Sequence, residues 1–358
     1  MKILHYNVFK NVPIGVRNQL LDEEKAVVQI NDGLEWDVAV SCMCDWEVSF
    51  RTPIRPGTGY GLLTDVLFYR DAYRWLKNVA SRYDKILVRY RTANPWQAKV
   101  FQSLNNVYTV HHAIEELESS AGDGIKPVIE HWMEKIVGPY ALRSVDGIIA
   151  LTPEILSYET ARASPDVFGS VYPNGICLSD INVVRDRREG NLKYLFAGSL
   201  AAPWHGLDVA VEALLSVDPG AEIHVVGPRV DVPDECSGQI AFHGELTRAG
   251  LGEVAEFCDA GLGTFALGKK GMQQACTLKV REYLAFGLPV VSGAIDSGFP
   301  AGFPYYRMIA DTLDWGSVAE TVRQWRGVSR NEIRSASSAY IDKRLIMQRL
   351  LSELSLLN

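Results

Sequence analysis

Short apolar runs rich in β-branched residues alternate, along the 358-residue chain, with stretches whose apolar residues recur at helical spacing. This alternation predicts strands joined by helices, and therefore parallel sheets. The predicted strands cover residues 2–8, 36–42, 84–90, 106–112 and 146–152 in the first half, and 192–198, 221–227, 239–244, 260–266 and 287–293 in the second. The pattern predicts an α/β protein built from two Rossmann-like halves.

The join between the halves is predicted within VYPNGI, residues 171–176. Pro173 and the Asn174-Gly175 dipeptide are strong turn signals that interrupt both periodicities. We therefore expect an N-terminal domain at 1–173 and a second domain at 174–338. The last segment, 339–358, has apolar residues at helical spacing and is expected to form a terminal helix that packs back on the N-terminal domain.

Charge is unevenly distributed along the chain. The net charge is −7, which disfavours a general nucleic-acid binder, yet residues 51–100 carry ten basic and three acidic side chains. Within this window, residues 62–80 have helical spacing with Arg70, Arg74 and Lys77 on one side. Such a face suits an anionic membrane surface or a lipid diphosphate. The alternative is a solvated basic helix whose aromatic residues lie in the core.

Targeting and cysteine signals are weak. The six cysteines show neither CxxC pairs nor the spacing of a zinc site. No secretion signal is apparent at the start, and the apolar stretch 283–295 is too short to span a bilayer. We expect a cytoplasmic protein, located at the inner face of the membrane if the basic window contacts lipid.

The segment TLKVREYLAFGLPVV, residues 277–291, carries the most informative chemistry. Lys279 and Glu282 are three residues apart and share one face of a helix that begins near Thr277. Free N–H groups at a helix start suit a phosphate, and a carboxylate one turn later can accept two ribose hydroxyls. The segment therefore indicates nucleotide binding. The alternative is an ordinary amphipathic helix with an exposed Lys–Glu ion pair.

This segment resembles the donor-site signature of retaining GT-B glycosyltransferases of the glycosyltransferase family 4 type. The resemblance implies two Rossmann-like domains whose parallel sheets face an interdomain cleft. It also implies that Glu282 binds the ribose, and that Lys279 and the helix start at Thr277 and Leu278 bind the diphosphate. The first acid of the family's E-x7-E pair falls on Gln274 here, and an amide can still hydrogen-bond sugar hydroxyls.

Further matches to this family follow in the expected order. Residues 194–214 are similar to the first strand and turn of the donor domain, and residues 240–247 resemble the strand and loop that hold the nucleobase. The basic loop 267–277 suits a segment that closes over phosphates, or else a solvated loop. The donor-binding residues that these matches add are Gly198, Ser199, His205 in place of the family's Lys, Gly244, Leu246 and Lys270.

In the first half, YDKILVRYRTANPW followed by VYTVHHAIEELES is similar to a strand pair of the same family. The match places His111 at the carboxyl end of a strand and implies that it contacts the sugar or phosphate near the anomeric carbon, orienting it for catalysis. Arg89, His112 and the glycine-bearing loop at Gly15 are the implied acceptor-side residues. The alternative for a single histidine is a structural role.

The resemblance implies a retaining glycosyltransferase that moves a sugar from a nucleotide sugar to a glycan or lipid-linked acceptor in bacterial surface polysaccharide synthesis. No separate cofactor is expected. Among donor nucleotides UDP is favoured, because it is the prevalent one. The sequence contains no Asp-x-Asp, which fits a metal-independent site. Two alternatives remain: a nucleotide-sugar 2-epimerase of the same architecture, or a catalytically silent sugar-nucleotide-binding subunit, because Gln274 and His205 replace charged family residues.

Overall fold

Two parallel six-stranded sheets organise the chain in a computed structural model. The structure describes residues 1–30, 33–43, 52, 62–120, 124–198, 203–228, 238–309 and 315–357. The chain divides into two compact units, Met1–Pro173 with Met347–Asn358, and Asn174–Ile346. No helix within the described ranges is long and apolar enough to cross a bilayer.

The first unit contains a sheet with the strand order β2-β1-β3-β4-β5-β6. Its strands are β1 (Lys2–Phe9), β2 (Glu35–Cys42), β3 (Lys85–Arg89), β4 (Val107–His111), β5 (Gly147–Ala150) and β6 (Phe168–Val171). Its helices are α1 (Ile14–Ile30), α2 (Leu62–Val79), α3 (Pro95–Phe101), α4 (Glu115–Ser120), α5 (Ile125–Leu142) and α6 (Pro153–Arg162). Strand pairing sets Arg89 beside Val110 and His111 beside Ala150, so these residues share the carboxyl edge of the sheet.

The second unit contains a sheet with the strand order β12-β11-β10-β7-β8-β9. Its strands are β7 (Lys193–Ala197), β8 (Glu222–Val226), β9 (Ile240–Phe242), β10 (Ala260–Leu262), β11 (Val290–Ser292) and β12 (Tyr306–Met308). Its helices are α7 (Leu207–Val217), α8 (Arg248–Ala255), α9 (Leu278–Phe286), α10 (Trp315–Trp325) and α11 (Arg330–Ile341). A further helix, α12 (Lys343–Ser355), starts in this unit, and its residues from Met347 onward belong to the first unit.

Local sequence signals explain several helix starts in the first unit. Asn94 caps α3 by accepting hydrogen bonds from the N–H groups of Trp96 and Gln97, and Pro95 follows it. Thr152 caps α6 in the same way, again with a proline at the first helical position. Both patterns are favourable because the cap satisfies an N–H that has no partner in the helix, whereas proline lacks one.

Helix α5 approaches α6 closely at Gly138. A Cβ atom on Gly138 would stand 2.0 Å from Arg162 Nη2 and 2.1 Å from Glu134 Oε1. A larger residue here would have to displace the ends of the Arg162 and Glu134 side chains, so glycine leaves room for this ion pair.

Each of the ten predicted strands corresponds to a strand of the structure, and the helix predicted within 62–80 is α2. Two strands were not predicted, β6 and β12, and both lie at the edge of a sheet.

A buried ion pair holds helix α9 in the second unit. Arg281 Nη2 donates to Asp296 Oδ1 at 2.9 Å, and Arg281 Nη1 contacts the other carboxylate oxygen. Arg281 Nε donates to the carbonyl of Asn174 at 3.0 Å, and the guanidinium lies over the Phe299 ring. Burial alone would lower the pKa of Arg281, but the Asp296 carboxylate outweighs it and raises this pKa, so the guanidinium is charged at every ordinary pH. The charges of the pair compensate each other away from water.

Replacing Asp296 with Ala is expected to lower the free energy of unfolding by about 3–5 kcal/mol, because the Arg281 charge then stays buried without its partner. Chemical denaturation measures this change. Arg323→Gln is the control, since its side chain is 49% exposed and pairs with Asp218 at the surface, where ion pairs contribute at most about 1 kcal/mol. A loss for Asp296→Ala no larger than that of the control would contradict this role.

Candidate functional site

Glycines bring bare backbone together at the carboxyl edge of the second sheet. Gly198 directly follows β7, and its N–H donates to the carbonyl of Val226 at 3.0 Å. Gly227 directly follows β8, and its N–H donates to the carbonyl of Gly244 at 2.8 Å. Gly198, Gly227 and Gly244 all have positive φ. A Cβ on Gly227 would stand 2.1 Å from the carbonyl oxygen of Gly198, so this approach needs glycine.

Helix α9 begins without a side-chain cap. Thr277 is its N-cap residue and makes no side-chain capping hydrogen bond. The N–H groups of a first helical turn have no acceptor within the helix, and the helix dipole makes that end attractive to an anion. The preceding segment is fixed by a short parallel bridge between Gln274 and Ile295, in which the N–H of Ala275 donates to the carbonyl of Ile295 at 2.9 Å. The half-buried Gln274 thus lies three residues before Thr277.

Lys279 is buried beside an aromatic ring and a histidine. Its Nζ atom lies 3.9 Å from the centre of the Phe196 ring and 3.4 Å from Nδ1 of His205. Burial lowers the pKa of Lys279 to about 7. Burial, together with the positive charges of Lys279 and Lys270, lowers the pKa of His205 to about 3. His205 is therefore neutral at pH 7, and its Nδ1 can accept from Lys279.

Lys270 lies against a second aromatic ring. Its Nζ atom is 3.5 Å from the centre of the Trp204 ring, and its side chain is buried, whereas Lys269 is exposed. The segment carrying Trp204 is tied to the strand end after β10, because the N–H of Ala266 donates to the carbonyl of Trp204 at 3.2 Å. At Gly206, φ is 59° and a Cβ would stand 2.8 Å from Ala266 N. Two cations therefore rest on aromatic faces near the start of α9.

Glu282 lies one helical turn after Lys279 and has a different partner. Its Oε1 atom accepts from Arg248 Nε at 2.9 Å, and its side chain is 12% exposed. Arg248 opens helix α8, which Thr247 caps by accepting from the N–H of Gly250. Because Lys279 is buried against Phe196, the alternative interpretation of an exposed Lys279–Glu282 ion pair is wrong.

The segment predicted to hold a base combines exposed backbone with a packed side chain. Gly244 is exposed and has a φ of 69°, while Leu246 is half-buried and packs against the core of the second unit. Main-chain polar groups are therefore accessible at Gly244. Ser199, also predicted for donor binding, lies outside the described residues, as do Arg51 and Arg55 of the basic window.

His111 ends strand β4, as predicted, and is fully buried. Its ring stacks on Tyr90 with centres 4.6 Å apart, and its Nδ1 lies 2.8 Å from Glu115 Oε2. Burial lowers the pKa of His111 to about 4 and raises that of Glu115. At pH 7 the imidazole is neutral, and within the described residues its buried Nε2 has no hydrogen-bond partner.

The other acceptor-side residues lie in several places in the first unit. Arg89 ends β3, its guanidinium lies 5.1 Å from the centre of the Phe9 ring, and burial lowers its pKa to about 10. His112 follows His111 and is half-buried. Gly15 was expected in a loop, and this is wrong: it lies in the first turn of α1, where the N–H of Arg17 donates to the carbonyl of Pro13.

A buried ionic network surrounds His111. The ligand atoms of His111, Glu115 and Glu159 lie within 4.8 Å of one another, a spacing that a metal ion could bridge. Arg162 already supplies positive charge there, with Nη1 2.7 Å from Glu159 Oε2 and Nη2 2.6 Å from Glu134 Oε1. Burial raises the pKa of Glu159 to about 7.

Several residues of these sites were not predicted from the sequence. Gly227 ends a predicted strand, as Gly198 does, and that shared position was an available signal. Phe196 and Trp204 read as core residues, and Arg248 meets Glu282 across 34 positions of the chain, which no local spacing reveals.

Neither a protein-family model nor a curated protein matches the sequence. Solved structures do match it over almost the whole length. The lipopolysaccharide outer core galactosyltransferase WaaB, in its apo form, superposes with a TM-score of 0.66 at 11% identity and 99% coverage of both chains. Sucrose-phosphate synthase from Thermosynechococcus elongatus gives 0.69 at 13% identity and 100% coverage of both. Anabaena HepE, solved in complex with UDP-glucose, gives 0.68 at 14% identity and 99% coverage of both.

Identities this low establish the fold alone. The two parallel six-stranded sheets, each formed by one compact unit, have the architecture of these glycosyltransferases. The chain therefore has the GT-B fold, as the sequence predicted.

Proposed function

We propose that the protein is a retaining glycosyltransferase that moves a sugar from a nucleotide sugar to a glycan or lipid-linked acceptor in bacterial surface polysaccharide synthesis. The observation that carries this proposal is the start of α9. There, an uncapped helix N-terminus, the buried Lys279 and the carboxylate of Glu282 follow one another within six residues. Helix N–H groups and a lysine suit a diphosphate, and a carboxylate suits a ribose.

In this proposal the second unit binds the donor. The N–H groups at Thr277 and Leu278, with Lys279 and Lys270, hold the diphosphate. The bare backbone at Gly198 lets it approach closely, and Ser199 is a further expected contact. Glu282 accepts hydrogen bonds from the ribose hydroxyls, Gln274 hydrogen-bonds the sugar, and main-chain groups near Gly244 and Leu246 hold the base. UDP is the favoured donor nucleotide, because HepE has been solved with UDP and with UDP-glucose.

The proposed reaction breaks the bond between the anomeric carbon and the diphosphate oxygen and forms one from that carbon to the acceptor oxygen on the same face. The acceptor's proton goes to the leaving phosphate. Negative charge develops on the diphosphate, and the helix start with Lys279 stabilises it electrostatically, with no metal ion proposed. His205 stays neutral and positions the Lys279 ammonium.

The first unit is proposed to present the acceptor, with Arg89, His112 and Gly15 on that side and His111 orienting the sugar. A direct contact by His111 would use Nε2, the ring nitrogen that faces away from Glu115. We further propose a location at the inner face of the membrane. On α2, Arg74 and Lys77 are exposed and offer positive charge, while Arg70 pairs with Asp71 at 2.9 Å.

The proposal is tested by nucleotide binding. A thermal-shift screen of UDP, GDP, dTDP and CMP identifies the base, since a ligand that binds only the folded state raises the melting temperature. Glu282→Ala is then expected to lower the affinity for the selected nucleotide roughly 10- to 100-fold, because hydrogen bonds to a charged group are lost. Calorimetry measures this affinity.

Glu253→Ala, an exposed acid on α8, is the matched control and should leave the affinity unchanged. An affinity unaffected by Glu282→Ala would refute the site assignment. Incubating the donor without acceptor tests the reaction itself: an epimerised sugar would indicate the 2-epimerase, and no turnover with any acceptor would indicate the silent subunit.

Diphosphate binding is also expected to take up a proton. In the free protein the pKa of Lys279 is about 7, and an anion beside the amine favours the ammonium and raises this pKa. Above pH 7 the free amine must therefore be protonated on binding, and affinity for UDP should fall by up to about tenfold per pH unit toward about pH 9.

Calorimetry in buffers of different ionisation enthalpy measures this uptake directly, with roughly one proton bound near pH 8. Lys279→Met should bind UDP more weakly and lose the uptake. An equal uptake in Lys279→Met and in the wild type would mean that another group takes the proton.

A further inference from the structure

An apolar stripe runs along the outer face of α5. Seven of the nineteen large apolar side chains that are exposed in the described part of the chain belong to this one helix. They are Ile125, Val128, Ile129, Trp132, Met133, Ile136 and Tyr140. Their spacing of three and four residues puts them on one side of the helix. Soluble monomers rarely expose a contiguous apolar surface of this extent.

The opposite face of α5 is fully occupied within the first unit. Glu134 is buried there and accepts from the Tyr90 hydroxyl at 2.8 Å and from the N–H of Ala93 at 2.6 Å. Arg162 Nη2 lies 2.6 Å from the same carboxylate, beside Gly138. The helix is therefore held by its polar inner face, and the apolar stripe is left facing outward.

The charges of α5 fit an anionic surface. Lys135 is exposed on the helix and Arg143 is exposed at its C-cap, whereas Glu130 is half-buried and Glu134 is buried. Lys135 Nζ lies 5.3 Å from the centre of the Trp132 ring, at the edge of the stripe. Apolar residues flanked by tryptophan, tyrosine and lysine are typical of helices that lie in the plane of a membrane interface.

We propose that α5 docks the protein on an anionic lipid bilayer, lying along its surface with the apolar stripe inserted. A second copy of the chain fits less well, because a symmetric pairing of two stripes would double the exposed positive charge of Lys135 and Arg143 at the contact, and neither described carboxylate of α5 is exposed to compensate it. On α2, by contrast, only Val66 and Leu67 are exposed large apolar residues among those described. The basic face of α2 can attract a membrane, but α5 supplies the inserting surface.

Docking through α5 also orients the strand ends. Glu134 joins the helix to Tyr90, which follows β3, and Arg162 joins Glu134 to Glu159 beside His111. A bilayer bound at the stripe would therefore lie at a fixed orientation to the carboxyl ends of β3 and β4. This orientation matters for a lipid-linked acceptor only if the proposed function holds, whereas docking itself does not depend on it.

Flotation of the full chain with vesicles tests the docking. Vesicles of phosphatidylglycerol and phosphatidylcholine in equal amounts are compared with phosphatidylcholine alone. The wild type should float with the mixed vesicles, and the double variant Trp132→Ser, Ile136→Ser should lose roughly tenfold or more of its partitioning, because two inserted side chains are removed. Both side chains are exposed, at 61% and 74%, so the fold should survive, which the melting temperature checks.

Matched variants separate the alternatives. Val28→Ser removes an equally exposed apolar side chain from α1 and should change nothing, while Lys135→Gln should weaken binding to mixed vesicles at low salt. If the double variant floats as well as the wild type, and a second double variant, Arg74→Gln with Lys77→Gln, no longer floats, the proposal is overturned in favour of α2. A wild-type dimer that becomes monomeric in the double variant, measured by sedimentation without lipid, would overturn it in favour of a second copy.

Discussion

The buried ion pair of Arg281 and Asp296 is the constraint on which the donor half of the molecule depends. Arg281 projects from the first turn of α9, so whatever fixes its guanidinium also fixes the direction in which the helix start points. Asp296 holds the guanidinium from the segment after β11, and the carbonyl of Asn174 holds it from the start of the second unit. The Asn174 side chain completes the link by donating to the carbonyl of Cys276 at 2.6 Å.

Burial also changes the pKa of a residue beside that pair. The dry surroundings that make the Arg281 pair strong also lower the pKa of Lys279, two residues earlier on the same helix. Arg281 stays charged because it has a carboxylate, whereas the Lys279 amine contacts, within the described residues, an aromatic ring and a neutral histidine. One helix turn therefore carries a permanent structural cation and a cation whose charge can respond to a ligand.

Much of the fold could be predicted from the sequence, because the central strands are buried on both faces and most of their residues are apolar. The burial of β1 and β4 shows this directly. The unpredicted β6 and β12 are edge strands of four and three residues, and all of their side chains except the buried Ser170 are half-buried or exposed, so their hydrophobic signal is weak. Of the site, α9 could be located because its chemistry is local. The contact of Arg248 with Glu282 and the burial of Lys279 arise from tertiary packing, which no periodicity encodes.

The ion pair of Arg162 with Glu134 ties the inward face of α5 to α6. The two side-chain ends fill the space beside Gly138 where a Cβ would stand, so the helix cannot roll about its own axis without separating them. The direction of the outward stripe therefore depends on a contact on the inward face. A larger residue at position 138 would have to displace these side-chain ends, and it would weaken the contact that aims the stripe while leaving every residue of the stripe unchanged.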